Sequence, residues 1–248
     1  GPELEPVRAA AEKAVYKLPG VLSVTAGLTA EKEAKPQGGS GRDRLELSGI
    51  KAIFAVASGK GGVGKSTTAA NIALALAKTG KSVALFDADI FGPSMPRMLG
   101  LAGKKPHSDG TKVYPLENHG VKVMSIGFMI GEDDPVIWRG PMVMGALEQM
   151  LKDVEWGLID IMVVDMPPGT GDTQLTMSQR VPLAGAVIVS TPQDIALIDA
   201  RKGLNMFRRV EVPILGMIEN MSHYICPACG NRDEIFGSGG ARKTSAEL

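Results

Sequence analysis

From residue 48 onward the chain alternates two patterns: short apolar, β-branched runs, and stretches whose apolar residues recur at helical spacing. The alternation predicts strands at Ile50–Ala57, Ser82–Asp87, Val121–Ile126, Ile159–Asp165, Gly185–Ser190 and Ile214–Glu219. Helices are predicted at Lys65–Lys78, Met142–Leu151, Thr173–Arg180 and Ile195–Arg208. Runs such as IMVVD and GAVIVS are apolar on both faces of the pleat, as parallel strands covered by helices on each side must be. Strand–helix alternation of this kind implies an α/β fold built on a mostly parallel sheet. Ligands of such sheets bind at the carboxyl ends of the strands, so the residues just after each strand carry the chemistry.

The first thirty residues follow another pattern. Val7, Ala11, Ala14, Val15 and Leu18 recur at helical spacing, Pro19-Gly20 makes a turn, and Val21–Leu28 reads as a strand. One helix and one strand cannot bury a core of their own. Residues 1–31 are therefore expected to be the C-terminal remnant of a small α+β domain. Residues 32–47 are charged, carry Gly and Pro and have no apolar period, which is linker composition. Residues 48–248 form the main domain.

Composition narrows the function. Among 248 residues, 27 Lys and Arg balance 27 Asp and Glu, so the chain lacks the basic field that nucleic acid or an anionic membrane would require. With 44% apolar and 22% charged residues, it has enough apolar sequence for a large core and is not disordered as a whole. No apolar run approaches the ~18 residues of a membrane span. No signal-peptide pattern is present, which makes the cytoplasm the expected compartment. The 31 glycines and 16 prolines concentrate in short motifs between the apolar runs. Those loops are where chemistry is expected.

The first strand is followed by Gly59-Lys60-Gly61-Gly62-Val63-Gly64-Lys65-Ser66. Gly59, Gly61 and Gly64 fit the dinucleotide fingerprint G-x-G-x-x-G, with Asp87 as a possible ribose acid. Gly59 to Ser66 also fit the phosphate-binding loop G-x-x-x-x-G-K-S. Lys65 and Ser66 decide between them, because a pyrophosphate needs only backbone N–H groups. A triphosphate uses the lysine charge at its β/γ oxygens and the hydroxyl on Mg²⁺. The strand before and the helix after would aim backbone amides, through Thr67, and the helix dipole at phosphate. Asp165 ends the IMVVD strand, where an acid of the Mg²⁺ shell belongs. After it come Pro167-Pro168-Gly169-Thr170-Gly171-Asp172, a loop suited to sensing hydrolysis. Asp87 and Asp89 end another strand. Lys60 is not required by the motif, and two lysines in one loop repel unless further phosphate charge is near.

Cys226 and Cys229, in Tyr224-Ile225-Cys226-Pro227-Ala228-Cys229-Gly230, are the chain's two cysteines. Cys-x-x-Cys lets two thiolates meet one metal, with Pro and Gly shaping the knuckle. A thioredoxin-like redox pair, a buried structural pair, a zinc knuckle and an iron–sulfur site all remain open on this pattern. The neighbouring Pro, Gly, Asn231, Arg232 and Asp233 make it a surface loop. Zinc requires four ligands, and only His223 and acids such as Asp233 lie nearby in sequence. With two sulfurs per chain, four sulfurs require two chains, hence a homodimer with one [4Fe–4S] cluster or zinc on its two-fold axis. His107 and His119 read as surface residues.

Taken together, VASGKGGVGKSTTAANIALALA, DADIFGPSMPRMLG, VIWRGPMVMGAL, VVDMPPGTGDTQLT, VIVSTPQDIALIDARKG and the CPACG segment closely resemble the Mrp/ApbC-type iron–sulfur cluster carrier ATPases. These are relatives of the MinD and ParA ATPases. The resemblance implies ATP hydrolysis, iron–sulfur rather than zinc at the cysteines, and apo iron–sulfur proteins as clients. It implies that Lys60 reaches the partner's nucleotide, that Asp89 orients the attacking water, and that Asn220, in IENMS, reads the adenine; a capping or turn role is the alternative for Asn220. Residues 1–31 resemble the end of the small metal–sulfur assembly domain often fused in front of such ATPases. The family's chains usually run on past GSGGARK, so the ATPase domain is expected to continue beyond Leu248. A MinD/ParA-like positioning ATPase with a structural zinc knuckle is the competing reading.

Overall fold

The computed structural model describes residues 5–18, 44–129 and 140–248. The chain divides into two compact units, Gly1–Gly41 and Arg42–Leu248. In the first, helix α1 spans Glu5–Tyr16 and closes with Leu18 N–H donating to the Val15 carbonyl at 3.1 Å. The strand expected at Val21–Leu28, most of the linker (32–43), and the first residues of the VIWRGPMVMGAL stretch lie outside the described residues.

The second unit is built on a seven-stranded sheet. In chain order it contains β1 (Ile50–Ala57), α2 (Lys65–Lys78), β2 (Val83–Asp87), α3 (Met95–Met98), β3 (His107–Ser108), β4 (Val113–Tyr114), β5 (Leu116–Asn118) and β6 (Val121–Ser125). Then come α4 (Gly140–Asp153), β7 (Ile159–Asp165), α5 (Asp172–Arg180), β8 (Gly185–Ser190), α6 (Asp194–Arg209), β9 (Ile214–Glu219), β10 (Tyr224–Ile225), β11 (Arg232–Asp233) and α7 (Gly240–Glu247). The sheet order is β5-β6-β2-β7-β1-β8-β9. All neighbours are parallel except β5, which turns back antiparallel along β6.

The packing follows from residue type. All five residues of β2 are buried, as a strand covered on both faces requires. On α2 the buried positions Ala69, Ala70 and Ala73 are small, which lets the helix lie close to the sheet. Phe86 meets Trp156 edge to face, with ring centroids 6.4 Å apart. The β6 strand stops one residue earlier than the apolar pattern predicts. The Ser125 hydroxyl accepts the Gly127 N–H at 3.1 Å and starts a 3₁₀ turn over Ile126–Phe128.

Register aligns the chemistry-bearing strand ends. Asp87 stands opposite Asp165 across β2 and β7, Val56 opposite Asp165 across β1 and β7, and Ser190 opposite Glu219 across β8 and β9. One rim of the sheet thus gathers the loops that follow β1, β2, β7, β8 and β9. His107 and His119 are exposed, the former stacked on Tyr114. Among the described residues no helix is long and apolar enough to cross a membrane.

Candidate functional site

The loop after β1 bends tightly into α2. Gly64 caps the helix with φ 84°, and Gly62 has φ 79°. A side chain on Gly61 or Gly62 would meet nothing within 4 Å, so these two glycines leave an open face over the backbone. The other two are close-packed. A Cβ on Gly59 would fall 2.1 Å from the Asp199 backbone of α6, and one on Gly64 would fall 2.1 Å from Asn220 Nδ2. The loop is therefore a cradle open on one side and fixed on the other, with the first turn of α2 behind it. Thr68 N–H donates to the Gly64 carbonyl at 2.9 Å, while Ser66 and Thr67 sit at the helix start, Thr67 exposed. Val63 is buried, and half-buried Lys60 offers its carbonyl to the Ser58 hydroxyl.

Lys65 is buried and pairs with two acids. Its Nζ is 2.6 Å from Asp165 Oδ1 and 3.6 Å from Asp89 Oδ2, and it donates to Ser66 Oγ at 3.2 Å. Burial pushes the Asp165 carboxyl up, against the pull of Lys65 and Ser66. Burial and the Asp165 charge likewise raise Asp89 despite Lys65. Asp87 is fully buried. It accepts from the Ser125 hydroxyl at 2.9 Å and from the Met95 and Asp89 N–H groups, yet burial and Asp165 push its carboxyl up to about 7. Three carboxylates thus crowd a rim where one lysine pairs with two of them. Asp165 Oδ2 is buried without a partner. Surplus negative charge and an unpaired carboxylate oxygen, with the Ser66 hydroxyl alongside, suit a divalent cation. The loop after β7 is tied in as well, because Gly169 N–H donates to the Ser58 carbonyl at 3.0 Å.

Asn220 follows β9 and joins this rim. Its N–H donates to the Ser190 carbonyl at 2.8 Å and its Nδ2 to the Val63 carbonyl at 2.9 Å. The structure thus brings Gly59 to Thr67, Asp89, Asp165 and Asn220 into one constellation. Asp87 belongs to it too; the Asp-Ala-Asp triplet signals an acid there, but not its complete burial.

The cysteines lie further along the same turn. β10 and β11 pair antiparallel, and the knuckle between them closes with Cys226 N–H to the Asn231 carbonyl at 2.9 Å and Gly230 N–H to the Cys226 carbonyl at 2.8 Å. The Cys229 and Ala228 N–H groups point at the Cys226 sulfur, which lowers its thiol below the ordinary range and favours the thiolate that metals bind. Cys226 is half-buried and Cys229 exposed, both unoxidised. Among the described residues no third His, Cys, Asp or Glu completes a metal-binding group, and His223 and Asp233 do not join the pair in one. Glu219 was not anticipated. Its carboxylate accepts from Ser222 Oγ at 2.9 Å, Gly239 N–H at 2.8 Å and Ala241 N–H at 2.7 Å, and no spacing in the sequence signals that set.

Comparison with known proteins gives a consistent result. The ParA family profile described as NUBPL iron-transfer P-loop NTPase matches residues 49–248. An iron-sulfur cluster carrier protein of Synechocystis is 53% identical over 242 residues, covering 96% of this chain and 68% of that protein. The iron-sulfur cluster carrier protein of Escherichia coli K12 is 57% identical over 198 residues, covering 79% of this chain and 54% of its own length. Among solved structures, a nucleotide-binding protein of Archaeoglobus fulgidus in complex with ADP superposes with a TM-score of 0.71 at 39% identity, over 81% of this chain and 79% of that one.

Proposed function

This chain belongs to the ParA family, in the group described as NUBPL iron-transfer P-loop NTPases, and from that premise we propose that it is an ATP-hydrolysing carrier of iron–sulfur clusters. Cys226 and Cys229 hold the cluster, which is cargo handed to apo iron–sulfur proteins. The observation that carries the reading is the knuckle itself: two thiols three residues apart on a surface turn, one drawn toward its thiolate by backbone amides. Two thiolates leave a [4Fe–4S] cluster half-ligated, so a second copy supplies the rest and the carrier is a homodimer. A site assembled from two surface loops at an interface is open to exchange, which suits delivery.

ATP with Mg²⁺ is the nucleotide of this reading. The open backbone over Gly59 to Ser66 takes the phosphates, and the Ser66 hydroxyl and the unpartnered Asp165 Oδ2 would hold the metal. The ion supplies charge neutralisation on the phosphates. Lys65 is held 2.6 Å from Asp165, and nucleotide binding trades this contact for phosphate oxygens without moving the lysine out of the site. Asp89, beside Lys65, orients the attacking water. Lys60 serves the partner's nucleotide across the dimer, and Asn220 reads the base. The even charge gives no reason to add nucleic acid or a membrane as a partner, and the reading keeps the cytoplasm as the compartment. It also assigns residues 1–31 to the end of a metal–sulfur assembly domain.

The test is transfer. Protein loaded anaerobically with iron and sulfide is mixed with an apo-ferredoxin, and the acceptor's visible absorption is followed. Wild type is expected to convert the acceptor, and Cys226→Ser to convert none. Bound zinc with no uptake of iron would contradict the carrier reading and favour a structural knuckle.

A further inference from the structure

The geometry points to Glu219 as a positioning residue that links the nucleotide loop to the cysteine knuckle through its neighbour Asn220. Consecutive residues at the end of β9 grip two different objects. Asn220 holds the nucleotide loop, with Nδ2 on the Val63 carbonyl and no room between it and Gly64. Glu219 holds the neck of the knuckle. Its Oε1 accepts from Ser222, where the knuckle segment departs, and from Gly239, where it returns; its Oε2 accepts from Ala241 in the first turn of α7. One carboxylate thus closes the loop from 222 to 239 that carries both cysteines. Burial works to raise this carboxyl, but those donors outweigh it and hold it below the usual range, so the neck is fastened by an ionised group.

The remaining contacts make the link stiff. Met221, between Asn220 and Ser222, sits at φ 60°, a left-handed conformation uncommon outside glycine, and it turns the chain sharply from the rim into the knuckle. α7 is anchored on α6 by the Arg201–Glu247 ion pair and by Arg208 Nη2 donating to the Leu248 carbonyl at 2.8 Å. A Cβ on Gly240 would strike Leu197 at 2.6 Å and the Pro192 carbonyl at 2.7 Å, so the return strand of the neck has no slack. α6 in turn abuts Gly59, the first residue of the nucleotide loop. A nucleotide that orders the loop therefore orders Asn220, and Glu219 passes the constraint to the cysteines.

This inference rests on the nucleotide reading of the loop and the cargo reading of the cysteines, and its test does not need cargo. The alkylation rates of Cys226 and Cys229 by iodoacetamide are measured by mass spectrometry on the metal-free chain, with and without MgATP. In wild type MgATP is expected to slow alkylation about fivefold or more, within the range of site-to-site couplings. Glu219→Gln presents an amide nitrogen where an N–H donor sits and breaks one neck bond; Ser222→Ala removes the departing bond and spares the α7 contacts. Both variants are expected to keep ATP affinity within about twofold and to lose most of the protection, which a purely structural role for Glu219 would not produce. Full protection in both variants, or no protection in wild type, would overturn the link. Failure of the carrier reading shows up separately, as absence of iron uptake by a wild-type chain whose thiols still respond to ATP.

Discussion

Gly64 and Gly59 carry the same letter for different reasons, and substitution separates them. At Gly64 the φ of 84° and the Asn220 amide 2.1 Å from a new Cβ act together. Gly64→Ala is expected to destabilise the fold by about 2 kcal/mol or more and to abolish nucleotide binding. At Gly59 the obstacle is the backbone of α6, so Gly59→Ala shifts the helix and lowers the denaturation midpoint whether or not nucleotide is present. Lys65→Ala strips the cation from Asp165 and Asp89. ATP hydrolysis is expected to vanish, and the fold to lose about 3–5 kcal/mol at neutral pH, because buried acids are left unpaired. The variant recovers in acid, where those acids take up protons. Asp87 adds its own pH dependence. Its folded value of about 7 lies above the ordinary 3.8, so the folded state binds the proton more tightly than the unfolded chain. Its contribution is fully present below about 4 and is lost as pH rises through about 7. Asp87→Asn is expected to flatten that part of the stability–pH curve, measured by denaturant unfolding of the nucleotide-free protein.

At the scale of elements, β2 and β8 were legible as unbroken apolar runs and β1 and β7 as runs interrupted only by Lys51 and Asp160 before their ends, and the carboxyl ends of β1, β2 and β7 located the nucleotide loop and the acids. Helices α2, α4, α5 and α6 were legible from their periodicity to within two residues. The short elements were not. The hairpins β3–β4 and β10–β11 have two residues per strand, too few to show alternation. The sequence of α7, GARKTSAE, buries only Ala241 and Thr244, so its apolar pattern is blank; Glu219 and α6 hold it from outside. The same blindness hid Glu219, two of whose three partners are backbone amides 20 and 22 residues ahead in the chain. The cysteine pair was legible as a surface knuckle, but spacing alone did not reveal the amides aimed at Cys226. Cys229→Ser is expected to lose the metal while retaining ATP binding, because the exposed thiol of Cys229 lies in the knuckle and outside the nucleotide loop at Gly59–Ser66. Equilibrium nucleotide titration beside metal analysis checks both halves.

At the scale of the whole molecule, the two copies in the proposed dimer share one cluster and one pair of nucleotide sites. Complementation tests the second part. Lys60→Ala and Asp89→Ala chains, each inactive alone, are expected to regain partial ATPase activity when mixed, because a mixed dimer holds one intact composite site. No recovery at any ratio would place Lys60 in its own chain's site. The most direct measurement is iron and sulfide per dimer after anaerobic reconstitution, with the dimer's mass determined on the same sample. About four iron and four sulfide per dimer, lost together with the cluster-dependent dimer in Cys226→Ser, is the expected result. About half a zinc per chain, with no iron taken up, would contradict it.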